Sequence, residues 1–174
     1  MTKGKKTINL SDACSSYGRG KTPKYVEDSH VHVLNQACIY WEGFNLENIK
    51  YQNEEKFNPA NSLKRGDVLL NSTGTGTLGR ARVFDLDDGF TYMADSHVSV
   101  LKPKTDIILP EVLQRYFYDD NNQALLNYRC VFGSTSQDEL SKEGLGKMQI
   151  PLIDMKKQIE FVEMIKQSDK SKYM

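Results

Sequence analysis

The most chemically suggestive run in the chain is Gly74-Thr75-Gly76-Thr77-Leu78-Gly79, a letter-for-letter match to the G-x-G-x-x-G of dinucleotide-binding proteins. That fingerprint works by setting its glycines between a strand and a helix, whose N-terminus then holds the pyrophosphate. Here the following residues, Arg80-Ala81-Arg82-Val83-Phe84, alternate as a strand, so the run reads as a β–β loop, and Asp95, at a spacing suited to a ribose contact, falls in another β segment. Glu54-Glu55-Lys56 supplies the E-x-K of metal-dependent nucleases, in which carboxylates hold Mg²⁺ beside a lysine. No Pro-Asp stands upstream of it, and it reads as a solvated charge run. Asn58-Pro59 opens like the Asn-Pro-Pro-Tyr loop of amino-methyltransferases, but Ala60-Asn61 does not complete it. His30 and His32 share a strand face with Cys38 nearby; without a third ligand at supporting spacing, packing is the expected role. Asp95-Ser96-His97 is no triad by adjacency, because triad residues meet in space. No catalytic residue, metal or cofactor is expected.

The elements that would position these groups are β-rich first and helical later. Val31–Tyr40 alternates as a half-buried strand, Val68-Leu69-Leu70 is a short buried-strand run, and Arg80–Phe84 alternates again. Asp87-Asp88-Gly89 predicts a hairpin turn into Phe90–Met93, followed by a strand at His97–Leu101. Ser15–Lys24, rich in Gly, Ser and Lys, predicts a loop, and residues 42–61 predict irregular structure or short strands. From Pro110, apolar residues at 112, 113, 116, 117, 125 and 126 recur at helical spacing, with Asn121-Asn122 as an interruption. Ser136 and Glu139 make an S-x-x-E capping box for a short helix to about Lys142, after which Gly144–Ile150 is extended. From Asp154 a helix begins with Met155, Ile159 and Val162 spaced as the start of a coiled-coil seam, too short to stand without a partner surface.

At 174 residues, with 39% apolar and 26% charged residues, the chain can bury one core, which excludes wholesale disorder. No run approaches the roughly 18 apolar residues of a membrane span, and the lysines of the first ten residues precede no apolar signal region. A cytoplasmic location, with no membrane contact, is the expectation. Cys14, Cys38 and Cys130 lie at unrelated spacings, so buried free thiols are expected rather than a disulfide framework. The formal charge is zero, yet residues 1–25 hold six basic groups against one acidic, net +5, and residues 105–150 four against seven, net −3. A neutral total can hide a basic face.

Three polar loops share one character: Ser15–Tyr25, Ser72–Arg80 and Gly133–Gln137. Glycine lets a backbone approach closely, hydroxyls and amides meet phosphates or base edges, and arginine can grip guanine with two bonds. Three such loops on a chain without evident catalytic groups suit a binding module.

An ordered series of segments carries a family resemblance: GRGKTPKY from Gly18 to Tyr25, VLNQ from Val33 to Gln36, and GDVLLNSTGTGTLGRARVF from Gly66 to Phe84. ADSHVSVLKP from Ala94 to Pro103, Tyr116-Phe117, GSTSQDEL from Gly133 to Leu140, and Ile150-Pro151-Leu152 with Gln158 follow in order. Together, over about residues 8–165, these resemble the target recognition domain of the DNA-specificity (S) subunit of type I restriction–modification systems.

The resemblance implies a mixed, largely antiparallel α/β (α+β) recognition domain over residues 1–150, and the start of a conserved dimerisation and docking helix over 151–174. It implies sequence-specific recognition of double-stranded DNA without catalysis, methylation by a modification subunit, and cleavage by a restriction subunit joined through the complex. Only one recognition domain is present, and Leu152-Ile153-Asp154 departs from the Leu-Pro-Pro common before the helix. A half-subunit, a fragment or one product of a split gene is therefore implied, with a homodimer or a second specificity half restoring the two-fold arrangement. Lys21, Lys24 and Arg80 become phosphate or base contacts, and Asn35, Gln36, Tyr40 and Trp41 base readers. Ser72, Thr73, Thr75, Thr77, Ser134, Thr135 and Gln137 lie on loops near the DNA, while Met155, Ile159 and Val162 form the partner seam. Gly66-Asp67 and Asp95-Ser96-His97 are fold-defining. Two other readings remain open: a recognition domain detached from a single-chain restriction–modification enzyme, and an enzyme binding a nucleotide at Gly74–Gly79.

Overall fold

An apolar run without alternation must be covered on both sides, and Val68-Leu69-Leu70 is: all three side chains are fully buried, Leu69 into one hydrophobic cluster and Val68 and Leu70 into another. The computed structural model describes residues 6–132 and 139–171. In chain order it contains β1 (Thr7–Asn9), α1 (Leu10–Ala13), β2 (Cys14–Arg19), β3 (Tyr25–Val26), β4 (Val31–Leu34), β5 (Lys50–Gln52) and β6 (Val68–Asn71). There follow β7 (Ala81–Val83), β8 (Thr91–Ala94), β9 (Val98–Pro103), α2 (Pro110–Tyr118), α3 (Asp120–Cys130) and β10 (Val131–Phe132). The chain continues through β11 (Glu139–Leu140), α4 (Lys142–Gly146), β12 (Gln149–Pro151) and α5 (Met155–Ser171).

One four-stranded sheet has the order β2-β9-β6-β7 and is antiparallel throughout. The other has the order β3-β5-β4-β8, with only β4 and β8 parallel. Helical residues Leu113, Phe117, Leu126, Leu145 and Val162 pack with Val68, Leu70 and Leu101 on one face of the first sheet. Leu69 and Val98 meet Leu34, Tyr92 and Ala94 of the second sheet on the opposite face. The mixed, largely antiparallel α+β architecture with helices late in the chain is thus the observed one. Cys14, Cys38 and Cys130 are free and buried; desolvation pushes the Cys14 thiol up to about 11. Among the described residues no helix is long and apolar enough to cross a membrane.

Several local expectations change. The predicted loop at Ser15–Lys24 is strand as far as Arg19, because Tyr17, Gly18 and Arg19 pair with Leu101, Val100 and Ser99; its Ser and Gly content is tolerated on an edge strand. The strand from Val31 stops at Leu34, where Asn35 Oδ1 accepts from Ala37 N–H at 2.8 Å and turns the chain. Asp87-Asp88-Gly89 is not a hairpin: β7 belongs to one sheet and β8 to the other, and Asp88 instead accepts from Phe90 N–H and the Tyr92 hydroxyl. The helical break falls at Asp119, whose Oδ1 accepts from the N–H groups of Asn121 and Asn122. Ser136 lies outside the described residues, and Glu139 is in β11. Ser141 caps the short helix, accepting from Gly144 N–H, and that helix extends to Gly146 where extended chain was expected.

His32, at 9% exposure, stacks on Phe90 at 4.1 Å and meets Tyr51 and Tyr92 edge-on, its cross-strand neighbours in β5 and β8. Among the described residues its buried Nδ1 has no hydrogen-bond partner. Burial lowers its pKa below the usual 6.5, aided by His30 and opposed by Asp88 and Asp28. The unfolded chain therefore binds more protons once pH falls below about 6.5, and stability is lost from there toward the lowered folded value. His32→Phe should flatten the acid side of a melting-temperature profile over about pH 5 to 8; an equally steep decline in both proteins would contradict this origin.

Candidate functional site

Strand ends, rather than a cleft, build the polar end of the molecule. Beyond β2, Gly20 N–H donates to Val98 O at 2.8 Å and Lys21 N–H to Ala94 O at 3.1 Å. A Cβ at Gly20 would stand 2.2 Å from Ala94 O and 2.3 Å from Asp95 O, so only glycine permits this approach. Asp95 N–H donates to Leu34 O, joining the ends of β4 and β8. The buried Asp95 carboxylate accepts from His97 N–H at 2.8 Å and faces His97 Nδ1 at 3.1 Å, closing a turn. Ser72 N–H then donates to His97 O, and Ser72 Oγ meets Ser99 Oγ at 2.6 Å. The loops following β2, β4, β6 and β8 therefore share one end of the two sheets.

The loop at 72–80 is held from both flanks. Gln36 accepts from Thr73 Oγ1–H at 2.7 Å through its side chain and from Asn71 Nδ2–H at 3.0 Å through its carbonyl. On the opposite side, Gln123 Nε2–H donates to Gly79 O at 2.9 Å and to Phe117 O, a carbonyl near the end of α2. Thr77 Oγ1–H closes back on Thr73 O at 3.2 Å. Gly74, Gly76 and Gly79 have φ of 98°, 76° and 85°, a region that favours glycine. What remains outward is the Thr75–Gly76 tip, together with the Arg80 guanidinium, which donates to Gly76 O at 3.2 Å and lies 4.8 Å from the Tyr40 ring centre. Tyr40, Trp41, Arg80, Tyr118 and Gln123 border an open concavity of about 630 Å³, where Trp41 meets Tyr118 edge-on at 5.0 Å.

The residues singled out from the sequence divide by what their polar atoms already do. Thr75, Arg80 and Tyr40 present groups outward, as do the exposed Lys21 and Lys24. Ser72 and Thr73 are buried and spend their hydroxyls internally; Asn35 caps its own turn and donates to Asn48 O. Gln36 supports the loop, and Trp41 is half-buried against the core, its carbonyl accepting from Arg82 and Gln114. Ser134, Thr135 and Gln137 lie outside the described residues. The flanking Glu139 bridges Thr73 and pairs with Arg19 at 3.1 Å, and Leu140 N–H donates to Ser72 O. Of the seam residues, Val162 is buried in the chain's own core, Met155 is half-buried and Ile159 is exposed. Gln158, buried beside them, donates to Ile107 O and Ile153 O and accepts from Leu109 N–H, fastening α5 to the domain. Sequence reading missed Gln123, Asn71, Tyr118 and Arg19; only Arg19 carried a signal, its place in the basic N-terminal segment.

Gly74–Gly79 joins two strands, so the helix N-terminus that a dinucleotide site requires does not follow it. Among the described residues no group of three or more His, Cys, Asp or Glu side chains is placed to hold a metal ion. The face offers hydroxyl, amide, guanidinium and aromatic groups on a preorganised backbone, which suits reading the edges and phosphates of a nucleic acid.

A family model described as "Type I restriction modification DNA specificity domain" matches residues 2–173. No curated protein matches the chain. A solved chain from work on complex assembly and conformational transition of the type I R-M system has a TM-score of 0.70 at 18% identity, covering 98% of this chain and 40% of that one. The HsdS subunit from Thermoanaerobacter tengcongensis has a TM-score of 0.67 at 16% identity, with 98% and 39% coverage. The type I system S subunit from M. genitalium has a TM-score of 0.64 at 12% identity, with 98% and 41% coverage. At these identities the likeness establishes the fold, and the chain spans about two-fifths of the length of each.

Two substitutions separate the frame from the loop. Gly20→Ala forces its methyl into backbone and should cost about 1–3 kcal/mol in chemical denaturation. Gln123→Ala removes the donor to two carbonyls and should cost about 1 kcal/mol, with faster amide exchange confined to 72–80 and its contacts. Protection there equal to wild type would mean that the clamp does not hold the loop.

Proposed function

The chain belongs to the type I restriction–modification DNA specificity family, and on that premise we propose that it reads one half of a bipartite DNA target for a methyltransferase and an endonuclease carried on other subunits. The observation that supports this reading most is the convergence of loops from both sheets around a rigid 72–80 loop whose exposed tip is Thr75–Gly76. A preorganised loop binds with less ordering cost than a floppy one, and affinity can then go into discrimination between bases.

In this reading Arg80 and Thr75 approach base edges. Tyr40 restrains the guanidinium from one side, so that its paired N–H groups are available to a guanine edge or a phosphate. Lys21 and Lys24 contact phosphates. Thr73, Thr77, Gln36 and Asn35 act one layer behind, as supports. Residues 1–150 serve as the recognition domain, and 151–174 begin a docking helix for a modification subunit, through which a restriction subunit is recruited. With Val162 turned inward, the exposed Ile159, Phe161 and Met164 are the apolar groups that α5 offers to a partner. Two copies, or this chain and a second specificity half, complete a bipartite reader with two-fold pseudo-symmetry.

The test is a methylation map of DNA after co-expression of this chain with a cognate modification subunit. A new bipartite motif with palindromic halves is expected if two copies act together; an unchanged map, with the complex shown to form, would overturn directed methylation by this half alone. Arg80→Ala should relax discrimination at one motif position by roughly 1–3 kcal/mol, read as methylation of sites differing at that base.

A further inference from the structure

Beside β2 lies a smaller hollow of about 340 Å³ whose charge is one-sided. Arg19, Lys21, Lys102 and Lys142 line it, and among the described residues no carboxylate does. In a chain of zero formal charge, that is a concentration of cations rather than a sample of the average surface. Hydroxyl and amide groups of Ser16, Asn61 and Ser62 share its wall.

The four cations are not equivalent. Lys102 is fixed at 2.9 Å to Asp67, a carboxylate almost wholly buried, and belongs to the frame. Arg19 is paired with Glu139, but both side chains are substantially solvated, at 33% and 53% exposure, so a stronger anion can replace the carboxylate. Lys142 lies over the Tyr17 ring at 5.4 Å, in space that Gly18 leaves open: a Cβ there would be 3.7 Å from its Nζ. Lys21 is exposed just beyond the Gly20 contact.

The hollow is also in line with the reading loop. Arg19 pairs across the sheet with Ser99, and Ser99 is hydrogen-bonded to Ser72, where the 72–80 loop begins. On the far side of that loop the concavity is bordered by one cation, Arg80, and one carboxylate, Asp120. A polyanion lying across the loop tip therefore meets an excess of positive charge at the hollow and balanced charge at the concavity.

We propose that Arg19 and Lys142 join Lys21 in seating phosphodiester groups of the DNA strand flanking the base-reading loop, and so set the side from which the duplex crosses the domain. The assignment rests on the DNA-reading function above and adds a backbone site to it. Phosphate contacts fix register without carrying sequence information, and they release counterions, which makes them measurable.

The test uses the full chain with its modification subunit and a fluorescent duplex carrying the mapped motif, with affinity measured across a range of salt concentrations. Lys21→Gln and Lys142→Gln should each reduce the slope of log Kd against log salt by about 0.9, and the double variant by about twice that. The methylated motif should stay unchanged, and Lys142→Arg should keep the wild-type slope. Both lysines are exposed, so unchanged melting temperatures are expected and separate lost contacts from lost fold. A double variant with wild-type slope and affinity would overturn the phosphate seat while leaving DNA reading intact; so would a changed motif at unchanged slope, because it would make these residues base readers. Wild-type complex without sequence preference on DNA would instead remove the reading function, and the seat with it.

Discussion

Gly20 lets the chain leaving β2 lie directly on the carbonyls of Ala94 and Asp95, at a distance that no side chain permits. Ala94 ends a strand of one sheet, and the chain just beyond it enters β9 of the other. Bonds from Gly20 to Val98 and from Asp95 to Leu34 draw four strand ends into register. The two sheets are separate in hydrogen bonding and share Leu69 and Val98 with Leu34 and Ala94 in one apolar layer. Their polar ends are aligned by this backbone junction, and the loops that emerge inherit its geometry.

Rigidity at the loop tip has a similarly local origin. Glutamine side chains reach in from both flanks, Gln36 from the turn after β4 and Gln123 from α3. Each satisfies polar groups that would otherwise lack partners close to the core, where an unmade hydrogen bond costs more than a made one contributes. The groups left free at the tip are therefore those whose partners must come from elsewhere. Arg80 is intermediate, restrained by a ring and one carbonyl but able to make further bonds.

Much of this was legible in the sequence where the signal was local. Val68-Leu69-Leu70 announced a strand buried on both faces, Pro110 opened its helix, and the strand following Gly74–Gly79 argued against a dinucleotide site. The order of family segments was legible for the same reason, since each is a short contiguous run. Strand β2 was hidden because Ser and Gly favour loops, and its pairing with β9 outweighs that preference. Asp87-Asp88-Gly89 looked like a hairpin turn because nothing nearby shows that the next strand joins another sheet. Polar residues at the site had the same ambiguity: Ser72 and Thr75 are alike as letters, but only the fold reveals that one hydroxyl is buried against Ser99 and the other is outward.

Near the opposite end of the chain, β1 pairs with β12, setting Thr7 against Pro151 and Asn9 against Gln149. Leu10 N–H donates to Met148 O and Leu152 N–H to Lys6 O on either side of that pairing. The backbone thus enters and leaves the body of the domain at one doorway, immediately before α5. Everything between is a closed excursion that returns to where it began. Loops within such an excursion can change without shifting the helix that follows, because one pairing pins both of its ends.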